Sequence, residues 1–480
     1  MPNGYSPATE ELNFTPAGIE RVAMSLSSLL ASYEESLPER PVFPRLDRDT
    51  LANLLREPFS EEGRGVDGLF DRIRAIVIPN STAIAHPRFL GYVLGPSNGL
   101  APFADAVAAA LNQNCNFWQL SPAASVIEKK VTSWLSGLFN FPKGSGGILT
   151  SGGSMAMHMA LFAAILQKRP NAREDGWQAR SSPLAIYTSA EAHQCVEKAV
   201  VMLGLGSQAL RKIPVDRQFR MDCSALQRAI ELDQARGISP CCVVASCGTV
   251  ATGAIDPIVD IARLCREHGA WLHIDGAYGG LFVLTEELRQ TILACGLADS
   301  LSLDPHKMLF MPLEAGCLLV RDADCLRRSF HFSAPYLPEG DDPLFTNFMD
   351  YGPQLSRSFR AFKIWCALEA FGTRAFASAI ERARSVARYM MDRLAADPAF
   401  ELLAPAPLTA VCFRLRHLDD ETNLRVLGRL VREGTALISS VQLNGRAAIR
   451  ACIANYRTSA ADIDLILRRL RQLSAEETGE

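Results

Sequence analysis

Two short stretches of the sequence place an acid and a lysine directly after apolar runs. Asp275 follows the run at residues 270–274, and Lys307 follows the run at residues 300–303 after a turn that contains a proline. Open α/β sheets bind ligands at the carboxyl ends of their strands, so both side chains are expected beside one site. A lysine there can form an imine with a carbonyl cofactor, and a carboxylate can keep the nitrogen of a pyridine ring protonated. Lys307 and Asp275 therefore indicate a site in which a ring acts as an electron sink.

Three further segments add glycines and polar side chains. Residues 150–154 read Thr-Ser-Gly-Gly-Ser and precede a helical pattern at residues 155–166, whose N-terminal amides would face an anion. Residues 189–193 read Ser-Ala-Glu-Ala-His, and residues 247–250 read Cys-Gly-Thr-Val after another apolar run. Each segment alone is a weak signal. Together they contribute four candidates, Gly153, Ser154, His193 and Thr249.

The order of these segments along the chain resembles that of the group II pyridoxal-phosphate-dependent decarboxylases, which include the aromatic amino acid, glutamate and cysteine-sulfinate decarboxylases. The resemblance extends from about His86 into the C-terminal part of the chain. It implies an α/β fold of fold type I (aspartate aminotransferase-like), pyridoxal 5′-phosphate (PLP) as the cofactor, and a homodimer with active sites at the subunit interface. It also implies that an L-amino acid is decarboxylated to its amine and carbon dioxide.

The resemblance assigns a role to each matching residue around the cofactor ring. Lys307 matches the lysine that holds PLP as an internal aldimine, and Asp275 matches the acid that forms a salt bridge with the pyridine nitrogen. His193 matches the histidine stacked on the ring, and the small Ala277 lets the ring lie close. These four residues are expected to surround the ring.

The phosphate region matches the family with one departure. Gly153 and Ser154 match the turn that binds the phosphate. Thr249 matches the first of two threonines that members often carry beside the cofactor, but Val250 stands where the second would be. A hydrogen bond from that second position is therefore not expected. His306 is expected to support the phosphate or substrate region rather than to transfer protons.

A tyrosine near residue 340 bears on the product. Tyr336 matches a family tyrosine that returns the proton after carbon dioxide leaves, and relatives with phenylalanine there tend to release aldehydes. The hydroxyl therefore favours simple decarboxylation. An aldehyde synthase and a PLP-dependent carbon–carbon lyase remain alternatives, because they share nearly every motif. A PLP-binding protein without activity is disfavoured by the intact set of Lys307, Asp275, His193 and Tyr336.

The substrate class stays open at this stage. Residues 86–89 and 253–257 resemble the glutamate and cysteine-sulfinate branch, whereas residues 117–128 and 351–360 resemble the aromatic branch. Aromatic members usually have tryptophan at the position of Met308, although a flexible thioether also packs against rings. An aromatic or bulky amino acid is favoured over an acidic one or another class, such as a diamino acid.

Candidate substrate contacts follow from the same comparison. An acidic substrate requires a basic partner, and Arg88, Arg357 and Arg450 are the arginines considered for it. Core packing explains the aromatic candidates equally well. The candidate substrate residues are Phe89, Tyr92, Phe117, Trp118, Met308 and Arg357.

The elements that must position these residues follow from the apolar patterns. Helices are expected from Thr15 and Pro16 and over residues 125–139, and Asp256 is expected to cap a helix that Pro257 begins. Near-continuous apolar runs separated by helices predict a mostly parallel, buried sheet in an α/β domain. The runs lie at residues 183–188, 241–246, 270–274, 300–303 and 316–320.

Three domains are predicted. Residues 1–85 form a helical N-terminal dimerisation arm, residues 86–370 a large PLP-binding domain, and residues 371–480 a small C-terminal α/β domain. In the last, strands are expected at residues 409–415 and 447–453. Helices are expected at residues 421–433 and from Ser459 onward.

Composition excludes several classes of protein. With 48% hydrophobic residues among 480, the chain can bury a large core, so intrinsic disorder is not expected. A net charge of −3 lacks the basic field that binding to nucleic acid or an anionic membrane requires. Thirteen cysteines without paired CxxC spacing favour the reducing cytoplasm and no metal site. Neither a signal peptide nor a membrane span is expected.

Overall fold

The computed structural model describes residues 12–59, 61–176, 182–332 and 344–479. Within them the strands are β1 (Phe89–Leu90), β2 (Gly146–Thr150), β3 (Leu184–Ser189), β4 (Leu210–Ile213), β5 (Ser239–Ser246), β6 (Trp271–Asp275), β7 (Ser300–Leu303), β8 (Gly316–Val320), β9 (Phe400–Leu402), β10 (Ala410–Leu415), β11 (Leu437–Leu443) and β12 (Arg446–Cys452). The helices are α1 (Pro16–Ser36), α2 (Arg48–Arg56), α3 (Gly65–Arg72), α4 (Ala101–Leu111), α5 (Pro122–Leu138), α6 (Gly153–Lys168), α7 (Ala172–Asp175), α8 (Cys195–Met202), α9 (Cys223–Ala235), α10 (Ile258–His268), α11 (Arg289–Leu293), α12 (Pro305–Met308), α13 (Asp324–Phe330), α14 (Arg360–Ala396), α15 (Asp420–Arg432) and α16 (Ala460–Thr478).

The larger sheet has the strand order β2-β8-β7-β6-β5-β3-β4. Neighbours from β7 through β4 pair in parallel, whereas β8 is antiparallel to both β2 and β7. Every residue of β3, β7 and β8 is buried, as expected for strands covered on both faces, and the few polar residues among them are small serines and a threonine. The predicted α/β class and the mostly parallel sheet are confirmed, and each of the five predicted runs in this region is a strand.

The smaller sheet has the order β1-β11-β12-β10-β9 and is antiparallel except where β1 pairs with β11. The strands expected at residues 409–415 and 447–453 are β10 and β12, and the two helices expected around them are α15 and α16. Apolar residues from α14, α15 and α16 pack with this sheet in a core of its own. The C-terminal part is therefore an α/β unit, as expected.

A break in α14 lies near the predicted start of the small domain. Gly372 has φ 67° and ψ 162°, which are not helical, so the helix turns there. Phe89, near the start of the predicted large domain, pairs with Leu437 and so belongs to the smaller sheet. The three domain boundaries stay predictions.

Two expected helix starts have different outcomes. The Thr15 hydroxyl accepts a hydrogen bond from the Gly18 N–H at 3.2 Å, so the predicted cap of α1 is confirmed. The expected cap at Asp256 is wrong, because its carboxylate accepts from the N–H groups of Met221 and Ser246, each at 2.7 Å. Burial raises the pKa of Asp256 to about 6. Asp256 therefore ties loops to the sheet instead of capping α10.

None of the helices in the described ranges combines the length and apolar character needed to cross a lipid bilayer.

Candidate active site

A cavity of about 860 Å³ opens at the carboxyl ends of β5, β6 and β7. It brings together residues that lie as much as 358 positions apart in the sequence, from Tyr92 to Arg450. The sequence-predicted residues among its walls are Tyr92, Gly153, Ser154, His193, Asp275, Ala277, His306 and Lys307. The proposed ring and phosphate residues thus share one cavity, with the exception of Thr249.

Lys307 lies in α12, the short helix that follows β7. Its Nζ is 2.9 Å from Oδ2 of Asp304, and 22% of its side chain is exposed. Burial lowers the pKa of the amine, but the negative charges of Asp304 and Asp275 outweigh burial, so the pKa lies above its usual value. Without a ligand, Lys307 is therefore an ammonium held at the cavity wall.

Asp275 ends β6 opposite Ser302 of β7. One oxygen, Oδ1, accepts hydrogen bonds from the Ser302 hydroxyl at 3.1 Å and from the Ala277 N–H at 3.2 Å. These contacts fix the orientation of the carboxylate. Asp275 therefore presents an oriented carboxylate at the cavity wall.

His193 lies between β3 and α8 and is partly exposed at the cavity. Its Nδ1 accepts a hydrogen bond from the Cys195 N–H at 3.2 Å. Desolvation by the cavity walls lowers the pKa of the imidazole, and Asp275 partly opposes this effect. The ring is therefore neutral near pH 7, with its proton on Nε2.

The turn before α6 leaves the first amides of that helix without a side-chain cap. Gly152 occupies the capping position with φ 150° and ψ 175°. A Cβ at Gly153 would lie 3.1 Å from Cβ of Ala277 and 3.2 Å from Oδ2 of Asp304, so only glycine fits comfortably. Uncapped N-terminal amides beside a cavity favour an anion.

Thr249 and His306 are placed differently from the ring residues. The Thr249 hydroxyl is buried and lies 3.1 Å from the Thr252 hydroxyl and from the Ala254 N–H, between the cavity residues Gly248 and Val250, so its expected cofactor contact stays a prediction. His306 lines the cavity, and its Nδ1 donates to the Ala315 carbonyl at 2.8 Å. Burial lowers the pKa of His306. His306 is thus held at the cavity wall by the backbone, and its supporting role stays a prediction.

Two of the candidate substrate residues belong to the core. Phe89 is 2% exposed and pairs with Leu437 in the smaller sheet. Met308, the last residue of α12, is fully buried among apolar residues of the large core. The expected substrate contacts of Phe89 and Met308 are therefore wrong for this chain. Helical periodicity explains Met308, because adjacent residues of α12 point in different directions. Tyr92 does line the cavity and is 65% exposed.

Arg357 is also placed away from the cavity. Its Nη2 lies 2.5 Å from Oε1 of Glu128, and both side chains are 2% exposed. It further donates to the carbonyls of Cys115 and Leu149 at 2.7 and 3.0 Å. The expected contact of Arg357 with a substrate is therefore corrected to a buried ion pair that joins α5 to the segment before α14.

The remaining aromatic candidates lie outside the cavity of the single chain. Phe117 and Trp118 are half-buried, and Trp118 stacks on Phe345 with ring centroids 4.5 Å apart. Neither lines the cavity. Tyr336 lies outside the described residues, so its role stays a prediction.

The structure adds wall residues that the sequence did not single out. Ser439, Ser440 and Val441 of β11 line the cavity, as does Glu191. Arg450 of β12, one of the three arginines considered from the sequence, also lines the cavity; it is 3% exposed, with Nη2 buried and without a hydrogen-bond partner among the described residues. Residues 437–443 read Leu-Ile-Ser-Ser-Val-Gln-Leu, in which polar and apolar residues do not alternate regularly, so the sequence contains no clear strand signal for β11.

A buried histidine beneath the site predicts a pH effect on stability. His273 of β6 is fully buried against the Ser300 hydroxyl at 2.8 Å, and burial lowers its pKa to about 4. An unfolded chain takes up this proton near pH 6.5, whereas the folded one does not, so folding stability is lost as the pH falls from about 6.5 to about 4. In a His273→Gln variant this loss is absent. The free energies of unfolding of wild type and variant are therefore expected to converge by about 3 kcal/mol over that range.

Chemical denaturation of both proteins at several pH values measures this convergence. Ser300→Ala is the matched control, because it removes the hydroxyl partner but keeps the titrating ring. Its difference from wild type should stay nearly constant with pH. A gap between wild type and His273→Gln that is equally constant would contradict the prediction.

Comparisons with known proteins agree with this geometry. The sequence model described as "Pyridoxal-dependent decarboxylase conserved domain" matches residues 49–416. The chain belongs to the pyridoxal-dependent decarboxylase family. It is 31% identical to the aromatic-L-amino-acid decarboxylase of Bacillus atrophaeus over 477 residues, 98% of each chain, and 30% identical to the cysteine sulfinic acid decarboxylase of Rattus norvegicus over 450 residues, 89% of this chain and 90% of that one. The crystal structure of Oryza sativa TDC with PLP and tryptamine superposes with a TM-score of 0.90 at 26% identity, covering 97% of this chain and 100% of that one.

The protein is thus a PLP-dependent amino acid decarboxylase, a carboxy-lyase of fold type I. Its cavity fits that cofactor, because it holds an amine, a fixed carboxylate and uncapped helix amides. These are the groups that bind an aldehyde, a pyridine nitrogen and a phosphate. In the described ranges, no group of three or more His, Cys, Asp and Glu side chains forms a metal site.

Gly316 packs so closely against the backbone of Gly152, in the turn before α6, that a substitution there is expected to be destabilising. A Cβ at Gly316 of β8 would lie 2.4 Å from Cα and 2.5 Å from N of Gly152, which are backbone atoms that cannot rotate away. Gly316→Ala is therefore expected to cost about 1–3 kcal/mol of stability and to weaken PLP retention. Chemical denaturation and PLP fluorescence titration measure the two effects.

Gly137→Ala is the matched control, because a Cβ there meets no atom within 4 Å and the residue lies in α5. It should leave stability unchanged or raise it by about 1 kcal/mol. Equal stability and PLP affinity in Gly316→Ala and wild type would refute the packing argument.

Proposed function

We propose that this enzyme decarboxylates an aromatic or bulky L-amino acid to its amine and carbon dioxide. The observation that carries the proposal is the shared cavity of Lys307, Asp275 and His193, whose outer walls are largely apolar. Tyr92, Val93, Val250 and Val441 supply that apolar character. The similarity to an aromatic-L-amino-acid decarboxylase over 98% of both chains supports the same substrate class.

The cavity residues that match the family motifs each have a proposed task. Lys307 binds the cofactor covalently through Nζ, and Asp275 keeps a proton on the ring nitrogen. The bound cofactor supplies an electron sink for the pair of electrons left when carbon dioxide departs. Ala277 leaves room for the ring and His193 packs against it. Gly153 and Ser154 bind the phosphate at the N-terminus of α6, with His306 beside them.

Arg450 favours an acidic amino acid as the second candidate substrate. Its Nε donates to the Ala251 carbonyl at 3.0 Å and its Nη1 to the Tyr92 carbonyl at 3.2 Å, while Nη2 is buried without a partner in the described part of the chain. An unsatisfied guanidinium nitrogen at a cavity wall is suited to a carboxylate. Of the other arginines considered, Arg88 is bound to the Thr435 carbonyl and Arg357 to Glu128.

Incubation of the PLP-saturated enzyme with aromatic, acidic and basic L-amino acids separates these candidates. Carbon dioxide and amine are measured for each. Release from aromatic substrates is expected, and release from acidic substrates alone would replace the proposal with the second candidate. Ammonia and peroxide formed together with carbon dioxide would identify an aldehyde synthase. No release from any of them, despite a reducible bond at Lys307, would favour the carbon–carbon lyase.

We propose that the enzyme is a homodimer whose N-terminal helices pack on the partner subunit. Apolar side chains at the start of the described chain are more than half exposed, which a second copy would cover: Leu12, Phe14, Ile19 and Met24. Size-exclusion chromatography with light scattering is expected to give twice the chain mass. A stable, active monomer would exclude this assembly.

We propose a cytoplasmic location. All thirteen cysteines are free thiols, and all but Cys223 and Cys366 are buried. Free thiols on this scale suit a reducing compartment. Cell fractionation with an antibody to the protein tests the location.

A further inference from the structure

Asp304 is a buried acid at the centre of the cavity. It follows β7 and stands immediately before α12, but its side chain caps no amide of that helix. Its Oδ2 lies 2.9 Å from Nζ of Lys307 and 3.6 Å from Nε2 of His306. Its Oδ1 is buried and has no hydrogen-bond partner among the described residues. The ammonium of Lys307 is thus the close cationic partner of this carboxylate.

The same carboxylate lies against the start of α6. A Cβ at Gly153 would come within 3.2 Å of Oδ2, and one at Gly152 within 4.0 Å of Oδ1. An anion bound at that helix start would therefore lie beside a negative side chain. Like charges at this distance repel, so Asp304 opposes the anion while it attracts the ammonium.

Several other groups act on the Lys307 amine. Asp275 on β6 adds a second negative charge, and His306 is the neighbour on α12. From the segment at the start of α8, His193 and Cys195 face the same amine. Within this set Asp304 alone forms an ion pair with Nζ in the described structure, so it has the greatest influence on whether the amine is charged.

We propose that Asp304 is a positioning residue that holds Lys307 as an ammonium at the cavity wall and thereby sets the pH above which the amine becomes nucleophilic. This inference rests on the proposed role of Lys307. An amine must lose its proton before it can attack a carbonyl carbon. Asp304 thus controls when the enzyme can take up its cofactor, and it does so before any substrate binds.

The test measures amine reactivity rather than turnover. Full-length, cofactor-free protein is labelled with acetic anhydride across a pH series, and acetylation of Lys307 and of the exposed Lys143 is quantified by peptide mass spectrometry. In wild type, Lys307 is expected to react with a midpoint above that of Lys143. In Asp304→Asn the midpoint should fall, and labelling near neutral pH should become several-fold faster, by about tenfold for each pH unit of that fall.

Two variants serve as controls. Asp304→Glu keeps a carboxylate and should keep a high midpoint, and Glu191→Gln removes a different carboxyl group from the same cavity and should leave the midpoint of Lys307 unchanged. An unchanged midpoint in Asp304→Asn overturns the proposal. If that variant does not fold, the wild-type measurement decides, because a Lys307 midpoint below that of Lys143 would show that burial and not Asp304 dominates.

A second measurement uses pyridoxine 5′-phosphate, which carries the phosphate but has no aldehyde. Because the repulsion beside α6 is removed, Asp304→Asn should bind it several-fold more tightly than wild type. Equal or weaker binding would overturn the charge argument. Both readouts are independent of decarboxylation, so an inactive protein with the expected midpoints would leave this inference standing while the proposed function failed.

Discussion

Replacing Lys307 with alanine is expected to lower kcat by about 10²–10⁴-fold and to abolish the bond to PLP that borohydride reduces. Lys307 is the amine at the cavity wall, 2.9 Å from Asp304, and alanine offers neither a nucleophile nor a proton carrier. Carbon dioxide release under saturating substrate measures the rate. Mass spectrometry of the reduced protein measures the bond to the cofactor.

Two variants define the cause of this loss. Lys307→Arg keeps a positive charge beside Asp304 but cannot form the bond, because a guanidinium stays protonated, so it should be as inactive as alanine. Lys143→Ala removes an exposed lysine and should retain full activity. Full activity in Lys307→Ala would refute the proposed mechanism, and activity retained only in Lys307→Arg would show that charge alone matters.

Arg357→Met is expected to lower the free energy of unfolding by about 3–5 kcal/mol. The substitution leaves the carboxylate of Glu128 buried without its cation, although Glu128 still accepts the Leu149 N–H at 2.9 Å. It also removes the donors to the carbonyls of Cys115 and Leu149. Chemical denaturation, followed by circular dichroism, measures the loss.

The double variant Glu128→Met with Arg357→Met separates burial of an unpaired charge from general loss of packing. Removing both charges should restore part of the lost stability, because no uncompensated ion remains. Arg263→Met breaks an exposed pair with Glu267 on one turn of α10 and should cost less than about 1 kcal/mol. If Arg357→Met and Arg263→Met lowered the free energy of unfolding equally, the argument that burial makes the Arg357 pair more costly to break would be wrong.

The sequence predicted the larger sheet well because its strands are buried on both faces. β8 is apolar throughout and β7 alternates leucine with small serines, and the bounds of both were predicted to the residue. β11 was missed because its sequence, Leu-Ile-Ser-Ser-Val-Gln-Leu, is neither continuously apolar nor regularly alternating, and β1 because two residues carry no pattern. The predicted cap at Asp256 was wrong because its carboxylate oxygens accept hydrogen bonds from the backbone N–H groups of Met221 and Ser246. Met221 lies 35 residues earlier in the chain and Ser246 lies in β5, so neither contact could be predicted from the residues beside Asp256.

Position in the sheet also explains which site residues the sequence correctly predicted to lie at the cavity and which it did not. Asp275 and Lys307 follow strand ends, and strand ends converge at one edge of a parallel sheet. The direction of a neighbouring side chain does not follow from such motifs, so Met308 was wrongly predicted to contact the substrate. Nor does a motif show that Arg357 meets Glu128, 229 residues earlier in the chain.

The walls of the cavity come from two sheets with separate cores. Lys307 and Asp275 belong to the larger sheet, whereas Ser439, Val441 and Arg450 belong to the β11–β12 hairpin of the smaller one. The part of the wall that β11 and β12 supply is therefore separate in sequence from the groups proposed to hold the cofactor. Substitutions at residues 437–452 are expected to change the shape of the cavity while those groups stay as they are, so the hairpin is one segment to vary, together with Tyr92 and Val250, when the enzyme is engineered for another amine product.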